Sequence, residues 1–295
     1  MKNLIIAIAV VITSCLNAQE FDYQPTSTTN QIINHSYYSL SYSPKYKLAE
    51  WVAYKLTPEM LSGQEKLTHD YRTDPKISSG LAEISDYKNS GYVKAHLAPT
   101  DDMKLDQTAM SESYFMSNIS PQSLAFNSGI WKNLEEKVRT WVQTNGEVYV
   151  VAGGILKNNK GHFGVNKVSI PGEYYKVVLD TDPEYKVIGF VMPNQKEYGK
   201  LKSYAVSVDY IETRTGIDFF PSLPDGIEED IEGEIDLDYW TLNVNNSASN
   251  NSAAVQCKGI GRTSEVRCKN KTTNPNGYCK LHQNQVPDSL KVEQK

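Results

Sequence analysis

The sequence predicts an α+β domain built on a mostly antiparallel sheet. Three apolar segments, EVYVVAGGIL, YYKVVLD and KVIGFVMP, indicate strands, and the segment GIWKNLEEKVRTWVQTNG indicates an amphipathic helix. Because helical and strand patterns do not alternate regularly along the chain, this class is favoured over a doubly wound parallel sheet. Charged residues make up 22% of the 295 residues and there are 19 tyrosines, a composition typical of a folded soluble domain.

The chain begins with the layout of an export signal. Lys2 precedes an apolar run from Leu4 to Ile12, which is too short to span a bilayer and is followed by small and polar residues. Two cleavage positions remain open. Cleavage after Ala18 removes residues 1–18 and predicts a secreted or periplasmic protein, whereas cleavage before Cys15, in an ITSC sequence that resembles a lipobox, predicts an outer-surface lipoprotein with a lipid anchor.

The elements that follow alternate between strands and loops. Between Tyr37 and Thr57 aromatic or apolar residues alternate with polar ones, which predicts two strands joined by a turn at Ser43 and Pro44. The segment LTPEML predicts a short capped helical turn. Residues 70–87 are polar and rich in turn formers, so a surface loop is expected. Further along, SVDYIETRTGIDFF predicts a strand that enters a short helix.

The clearest helix carries one apolar stripe and ends at Asn145 and Gly146. Its apolar residues recur at helical spacing at Trp131, Leu134, Val138, Trp141 and Val142. Glu135 and Arg139 are separated by four residues and are therefore expected to be neighbours on the helix surface. Taken alone, that pair indicates a solvated salt bridge.

Charge is unevenly distributed along the chain. The net charge of −5 is a poor fit to a protein that coats nucleic acid. Residues 225–240 hold eight acidic and no basic residues, whereas residues 257–282 hold six basic residues and one acidic residue. The acidic segment favours solubility, and the basic segment is compatible with phosphate contact, although a charged run is more often a solvated face.

A small module is predicted at the C-terminal end, after a polar linker at residues 241–256. Three thiols and one imidazole within residues 257–282 form a complete tetrahedral ligand set for structural Zn²⁺: Cys257, Cys268, Cys279 and His282. A segment with so few apolar residues could hardly fold without a bound metal ion that joins its parts. Export to an oxidising space favours disulfides instead, but the odd number of cysteines left after signal removal favours zinc.

One histidine is a candidate for chemistry. In SGYVKAHLAPTDDM, His96 follows an apolar strand, where a histidine serves as a core residue, a metal ligand or a general base. Asn118 and Asn127 flank a proline-containing loop further on, and Asn127 lies where the amphipathic helix begins. A histidine can deprotonate water and an asparagine carbonyl can bind Mg²⁺, so the combination suits metal-assisted hydrolysis.

The motif SGYVKAHLAPTDDM, followed by AMSESYFMSNISPQSLAFNSGIWKNLEEKVR, resembles the core of the DNA/RNA non-specific endonuclease family, which has a ββα-metal motif. The resemblance covers about Tyr37 to Trp240 and implies a nuclease domain over residues 35–240 that acts on DNA and RNA with Mg²⁺. It implies that His96 is the general base and that Asn127 is the sole direct protein ligand of the metal. Further implied roles belong to Glu135 in the metal's water shell, Arg139 beside it and Asn118 in positioning the site.

The chain departs from the family signature Asp-Arg-Gly-His, for which it has Val93-Lys94-Ala95-His96. Lys94 keeps a positive charge for phosphate but lacks the bidentate geometry of arginine. Val93 removes a carboxylate, and Asp101 and Asp102 are the nearest acidic residues in sequence.

The resemblance also implies an upstream arginine that binds phosphate. Arg72 is the candidate for this role, with His69 as a competitor.

Three functions therefore remain open, and the first is favoured. The favoured one is an exported, Mg²⁺-dependent endonuclease that hydrolyses DNA and RNA. The alternatives are a catalytically silent nucleic-acid-binding protein on the same fold and a surface interaction protein in which the zinc module is the working part. A homodimer and a lipid anchor at Cys15 are the other partners to be tested.

Overall fold

The computed structural model describes residues 22–242 except Pro183 and Tyr198, together with residues 255, 256, 258, 271, 272 and 285. The chain divides into two compact units, Met1–Trp240 and Thr241–Lys295. The predicted signal segment with Cys15 lies outside the described residues, as do the four predicted zinc ligands, Cys257, Cys268, Cys279 and His282.

The strands and α-helices of the first unit follow one another along the chain in a fixed order. They are β1 Ile32–Asn34, β2 Ser39–Ser43, β3 Leu48–Leu56, α1 Pro58–Leu61, β4 Val93–His96, α2 Gln107–Ser113, β5 Ile119–Gln122, α3 Leu124–Phe126, α4 Lys132–Asn145, β6 Val148–Gly154, β7 Asn159–Phe163, β8 Val168–Pro171, β9 Glu173–Asp180, β10 Lys186–Pro193, β11 Ala205–Val206, α5 Val208–Thr215 and α6 Asp225–Glu232. In the second unit, β12 Val255–Gln256 pairs with β13 Lys271–Thr272.

A seven-stranded sheet forms the centre of the first unit. Its strand order is β1-β2-β3-β6-β9-β10-β11, and every neighbouring pair is antiparallel. The predicted α+β class with an antiparallel sheet is confirmed, and the three apolar segments form the adjacent strands β6, β9 and β10. Among the described residues, no helix combines the length and apolar character needed to cross a membrane.

Helices cover both faces of the sheet. Phe190 of β10 stacks on Trp141 of α4, with ring centroids 6.3 Å apart. The alternate β10 residues Val187 and Val191 face the other way, into a core cluster that contains Val208 and Ile211 of α5. Because successive side chains of a strand point to opposite faces, α4 and α5 lie on opposite sides of the sheet.

The predicted strand in SVDYIETRTGIDFF is largely wrong. Only Ala205 and Val206, just before this segment, pair with β10, and the segment itself begins as a helix. The Ser207 hydroxyl accepts a hydrogen bond from the Tyr210 N–H and so caps α5. The serine that preceded the apolar residues was therefore a helix start signal rather than part of a strand.

A separate ββα unit lies beside the sheet. β4 pairs with β5 in an antiparallel ladder that places His96 opposite Ile119 and Val93 opposite Gln122. Ser123 then caps the short helix α3, and the chain continues through a π-helical turn, Asn127–Trp131, into α4. The predicted hairpin followed by a helix is therefore present.

Candidate active site

His96 is held at the end of β4 by two tyrosine rings. The His96 ring centroid lies 5.6 Å from that of Tyr71 and 4.9 Å from that of Tyr114. Burial lowers the pKa of His96 to about 4, and the nearby imidazole of His69 lowers it further in the same direction. The imidazole is therefore neutral at pH 7, and its Nε2 has no hydrogen-bond partner among the described residues. A neutral imidazole, in which one ring nitrogen keeps a lone pair, is the form a general base requires.

Asn118 positions the loop that follows His96. Its fully buried Oδ1 accepts a hydrogen bond of 2.8 Å from the Ala98 N–H, and its Nδ2 donates to the carbonyl oxygens of Ala98 (3.0 Å) and Ser113 (2.8 Å). These bonds occupy the side-chain amide, so Asn118 is a positioning residue. The role in positioning the site that the resemblance implies for Asn118 stays a prediction.

Arg139 ties the same loop to α4, but its partner differs from the one expected. Its Nε donates a 2.6 Å hydrogen bond to Oδ1 of Asp102, whose other oxygen accepts from the Tyr54 hydroxyl at 2.9 Å. Asp102 is only 1% exposed, and a buried carboxylate without a counter-charge is strongly unfavourable. The pair taken alone indicates a solvated salt bridge between Arg139 and Glu135, but no ion pair among the described residues includes Glu135.

Asn127 lies at the first position of the π-helical turn and is half-buried. Its backbone N–H donates to the Ser123 carbonyl oxygen at 3.0 Å, which fixes the backbone. Its side-chain amide forms no hydrogen bond with another residue in the described part of the chain. Single π-helical turns inside α-helices occur frequently at functional sites, and here the turn presents an amide oxygen that is not used internally.

Glu135 lies one turn into α4 and is half-buried. Burial raises the pKa of this carboxyl to about 7; the ammonium of Lys176 opposes the rise, and Asp102 adds to it. The charge state of Glu135 therefore depends on which charges lie around it.

Lys176 is the residue that the sequence analysis missed. It lies in the middle of β9 and is 0% exposed, and its Nζ has no hydrogen-bond partner among the described residues. The Nζ lies 4.7 Å from the ring centroid of Trp131, at the end of the π turn. A lysine inside the apolar segment YYKVVLD was the available signal, because lysine is almost never fully buried without a reason.

The donor set fits a hard divalent cation. Asn127 offers an amide oxygen and Glu135 a carboxylate. Neither side chain forms a hydrogen bond or an ion pair with another residue in the described part of the chain. Mg²⁺ prefers oxygen ligands, keeps several waters and is commonly bound through one or two protein groups. Lys176 behind Glu135 would help to hold the carboxylate in its ionised form.

The two predicted phosphate-binding residues, Lys94 and Arg72, differ in how far their side chains are already bound to other protein groups. The Lys94 Nζ lies 5.0 Å from the ring centroid of Tyr71, one of the two rings that hold His96. Arg72 donates hydrogen bonds to Oδ2 of Asp70 at 2.7 Å and to the carbonyl and hydroxyl oxygens of Ser111, both at 2.9 Å. Its guanidinium is therefore already engaged, although the side chain remains 37% exposed. His69 is exposed beside Tyr114.

Neither nearby aspartate takes the place of the carboxylate missing at Val93. Asp101 pairs with Lys104 at 2.5 Å, and Asp102 is occupied by Arg139 and Tyr54. Across the ladder from Val93, the amide of Gln122 is fully buried, and neither its Nε2 nor its Oε1 has a hydrogen-bond partner in the described structure.

We expect Lys176→Met to lower cleavage roughly fivefold to tenfold at pH 7 while retaining more activity at pH 9. Loss of the ammonium raises the pKa of Glu135 further, and each unit of pKa shift near neutral pH leaves several times less of the ionised form. The measurement is the pH dependence of kcat/KM. Lys176→Arg should restore much of the wild-type profile, and Lys200→Met, an exposed lysine, is the matched control. An unchanged profile in Lys176→Met would refute this role.

The family model for DNA/RNA non-specific endonuclease matches residues 18–226. The chain is 31% identical over 230 residues to a nuclease of Nostoc sp., an alignment that covers 72% of this chain and 82% of that protein. It is 29% identical over 209 residues to human mitochondrial endonuclease G, covering 65% and 70% of the two chains. Among solved structures, the crystal structure of the EndoG/EndoGI complex aligns with a TM-score of 0.62 and 27% identity, over 67% of this chain and 88% of the other.

Proposed function

Because the chain belongs to the DNA/RNA non-specific endonuclease family, it is an endonuclease, and we propose that it hydrolyses phosphodiester bonds of DNA and RNA with Mg²⁺ as cofactor. The single observation that carries the proposal is that one ββα unit holds the neutral imidazole of His96 together with Asn127 and Glu135. The family is metal-dependent, and the choice of Mg²⁺ follows from the oxygen donors of the site.

In the proposed mechanism the neutral imidazole of His96 accepts a proton from the attacking water. The tyrosine rings around His96 keep the imidazole desolvated, so it is neutral before it accepts the proton. Asn127 would hold the metal directly, and Glu135 would hold it through the water shell. When bound, Mg²⁺ would supply positive charge that stabilises the scissile phosphate and the leaving oxygen.

The remaining site residues bind the substrate phosphate or position the loop after His96. Lys94 lies beside the Tyr71 ring and supplies a cation for a substrate phosphate. Arg72 would reach phosphate only by exchanging hydrogen bonds with Asp70 and Ser111. Asn118 and Arg139 hold the loop after His96 at its two ends, so the imidazole keeps a defined position relative to α4.

The test is cleavage by the purified protein. Plasmid DNA and structureless RNA are each incubated with the enzyme in Mg²⁺ and in chelator, and products are resolved by electrophoresis. We expect both polymers to be cut in Mg²⁺ and neither in chelator. Failure to cut either polymer across a series of Mg²⁺, Mn²⁺ and Ca²⁺ would refute the proposed reaction.

A second candidate, a catalytically silent nucleic-acid-binding protein, is favoured by one observation. The position where the family has a carboxylate is Val93, and the buried Gln122 amide opposite it has no partner among the described residues. Directly opposed side chains of a ladder lie on the same face within reach of each other. This arrangement suits a nuclease fold in which part of the site has been lost.

The double substitution Val93→Asp with Lys94→Arg distinguishes the two candidates. If the natural loop is impaired, we expect activity to rise at least tenfold, because the introduced aspartate could accept a hydrogen bond from Gln122 and the introduced arginine would bind phosphate through two parallel bonds. An impaired wild type would also bind DNA without cutting it. Equal kcat/KM values for wild type and double variant would show that the natural Val-Lys pair is sufficient for activity. Val165→Asp, at an exposed position, controls for added charge.

Two further proposals concern parts of the chain outside the described site. Export is supported by the apolar N-terminal segment, with the lipid anchor at Cys15 as its alternative form. A structural Zn²⁺ held by Cys257, Cys268, Cys279 and His282 is supported by their spacing and by the composition of that segment. One Zn²⁺ per exported chain in elemental analysis would support the zinc proposal, and a disulfide among these cysteines would refute it.

A further inference from the structure

A group of carboxylates meets between α5 and α6. Asp209 and Glu212 are one turn apart on α5, and Glu232 is the last residue of α6. One carboxylate oxygen from each of the three lies within 4.8 Å of those from the other two. The cluster therefore joins two helices that are adjacent in space but separate in sequence.

Glu232 gives this cluster a feature that exposed acidic groups lack. The residue is only 4% exposed, and its Oε1 is buried with no hydrogen-bond partner in the described structure. A buried carboxylate oxygen normally accepts hydrogen bonds or faces a cation, because leaving it unpaired is strongly unfavourable. A buried carboxylate that has an unpaired oxygen and lies beside two further carboxylates is an arrangement that a bound cation would satisfy.

No protein cation balances the cluster within the described part of the chain. The ion pairs formed by the lysine, arginine and histidine residues that the structure describes do not include Asp209, Glu212 or Glu232. Asp218, which lies close enough to affect both glutamates, adds negative charge, and its Oδ1 also has no partner among these residues. Burial first, and then these neighbouring carboxylates, raise the pKa of Glu212 to about 7 and that of Glu232 to about 8.

Glu212 is held in place by the backbone. Its Oε1 accepts a 2.8 Å hydrogen bond from the Phe219 N–H, so the carboxylate is oriented before any ligand binds. Phe219 belongs to the core cluster that α5 packs against, which gives the position rigidity. A rigid carboxylate and a buried one are more favourable as ligands than two mobile surface groups, because less side-chain entropy is lost on binding.

We propose that Asp209, Glu212 and Glu232 form a Ca²⁺ site that joins α5 to α6. Ca²⁺ binds oxygen ligands at about 2.3–2.6 Å in flexible geometry, so oxygens spread over 4.8 Å fit within one coordination sphere. Mg²⁺ requires nearly ideal octahedral geometry at about 2.0–2.1 Å, which a spread-out set of three carboxylates satisfies poorly. Water molecules complete the coordination.

The site is separate from the candidate active site. α5 packs against the Val187 and Val191 face of β10, whereas α4, which carries Glu135, packs against the Phe190 face. The seven-stranded sheet therefore lies between the two sites. Bound Ca²⁺ consequently stabilises the fold and takes no part in the reaction.

The experiment uses the full chain carrying Asn127→Ala, which removes the proposed active-site ligand and so keeps the two sites distinguishable. The protein is freed of calcium with EGTA, and its melting temperature and bound Ca²⁺ are measured across a series of CaCl₂ by differential scanning fluorimetry and equilibrium dialysis. We expect one Ca²⁺ per chain and a rise in melting temperature of about 5 °C or more at 100 times Kd.

Glu232→Gln on the same background tests the ligand set. It should abolish both Ca²⁺ binding and the thermal shift, because the neutral amide cannot supply the negative charge that a carboxylate brings to the ion. Glu212→Gln should also abolish binding, and Glu229→Gln, an exposed carboxyl of the same helix as Glu232, should retain it.

Three outcomes would overturn the proposal. These are no Ca²⁺ response in the Asn127→Ala protein, an undiminished response in Glu232→Gln, or a response to Mg²⁺ as large as that to Ca²⁺. A response seen only when Asn127 is intact would place the ion at the active site and refute this second site without affecting the proposed nuclease function.

Discussion

His96→Ala is expected to lower kcat/KM for cleavage of both DNA and RNA by about 10²-fold to 10⁴-fold, the range associated with loss of a general base. The imidazole is the proposed general base, and alanine leaves nothing in its place to accept the proton. Since Nε2 has no hydrogen-bond partner among the described residues, its loss should change the stability of the fold much less than the rate. The measurement is steady-state cleavage of a defined duplex, with the melting temperature recorded in parallel.

The pH dependence of the wild type checks the same assignment. His96 must be unprotonated to act, and burial lowers its pKa to about 4, so the group stays competent as the pH falls and is lost only near that value. At saturating Mg²⁺ we therefore expect no loss of rate from His96 between pH 7 and pH 5. His162→Ala, an exposed histidine of β7, is the matched control and should retain wild-type activity. Full activity in His96→Ala would show that another group is the base.

Asn127→Ala is expected to lower activity at least about 100-fold and to raise the Mg²⁺ concentration needed for half-maximal rate. Removing a group that only orients a metal ligand commonly lowers metal affinity or activity about 10-fold to 100-fold. Removing a direct ligand should lower activity more. The Ser123 bond to the Asn127 backbone N–H does not depend on the side chain, so the π turn should persist. The measurement is the rate as a function of Mg²⁺ concentration.

Asn133→Ala is the matched control for this prediction, because Asn133 is an exposed asparagine in the first turn of α4. It should show the wild-type rate and metal dependence. If Asn127→Ala and Asn133→Ala share the same metal dependence, Asn127 is not the ligand. Excess Mg²⁺ should partly restore Asn127→Ala but not His96→Ala, since the base is not replaced by metal.

Local patterns in the sequence were sufficient for most of the sheet and for the ββα unit. Alternation of apolar and polar residues predicted β2 and β3, and helical spacing predicted α4, because these patterns record which face of an element is buried. The segment with Ser207 was misassigned because its serine was a cap, which only the following residues show. The acidic helix α6 went unpredicted because its residues, six of eight polar or glycine, lack an extended apolar stripe.

Pairings between distant residues were not predictable in the same way. The spacing of Arg139 and Glu135, taken alone, indicates a salt bridge between them, but Arg139 pairs with Asp102, 37 residues away. The reason is energetic, since a buried carboxylate gains far more from a counter-charge than a half-exposed one does. Which carboxylate is buried depends on how the loop after His96 packs, and sequence spacing does not record that.

The sequence determined the fold class, the order of the strands and helix in the ββα unit, and the identity of His96, Asn127 and Glu135 as the candidate catalytic set. The tertiary structure alone decided which charges face one another across elements. It placed the Lys176 ammonium close enough to affect the pKa of Glu135, the unpaired Gln122 amide opposite Val93, and Glu232 near the carboxylates of α5. Hydrophobic periodicity is a local property of the chain, whereas the surroundings of a buried charge are set by elements that meet only after folding.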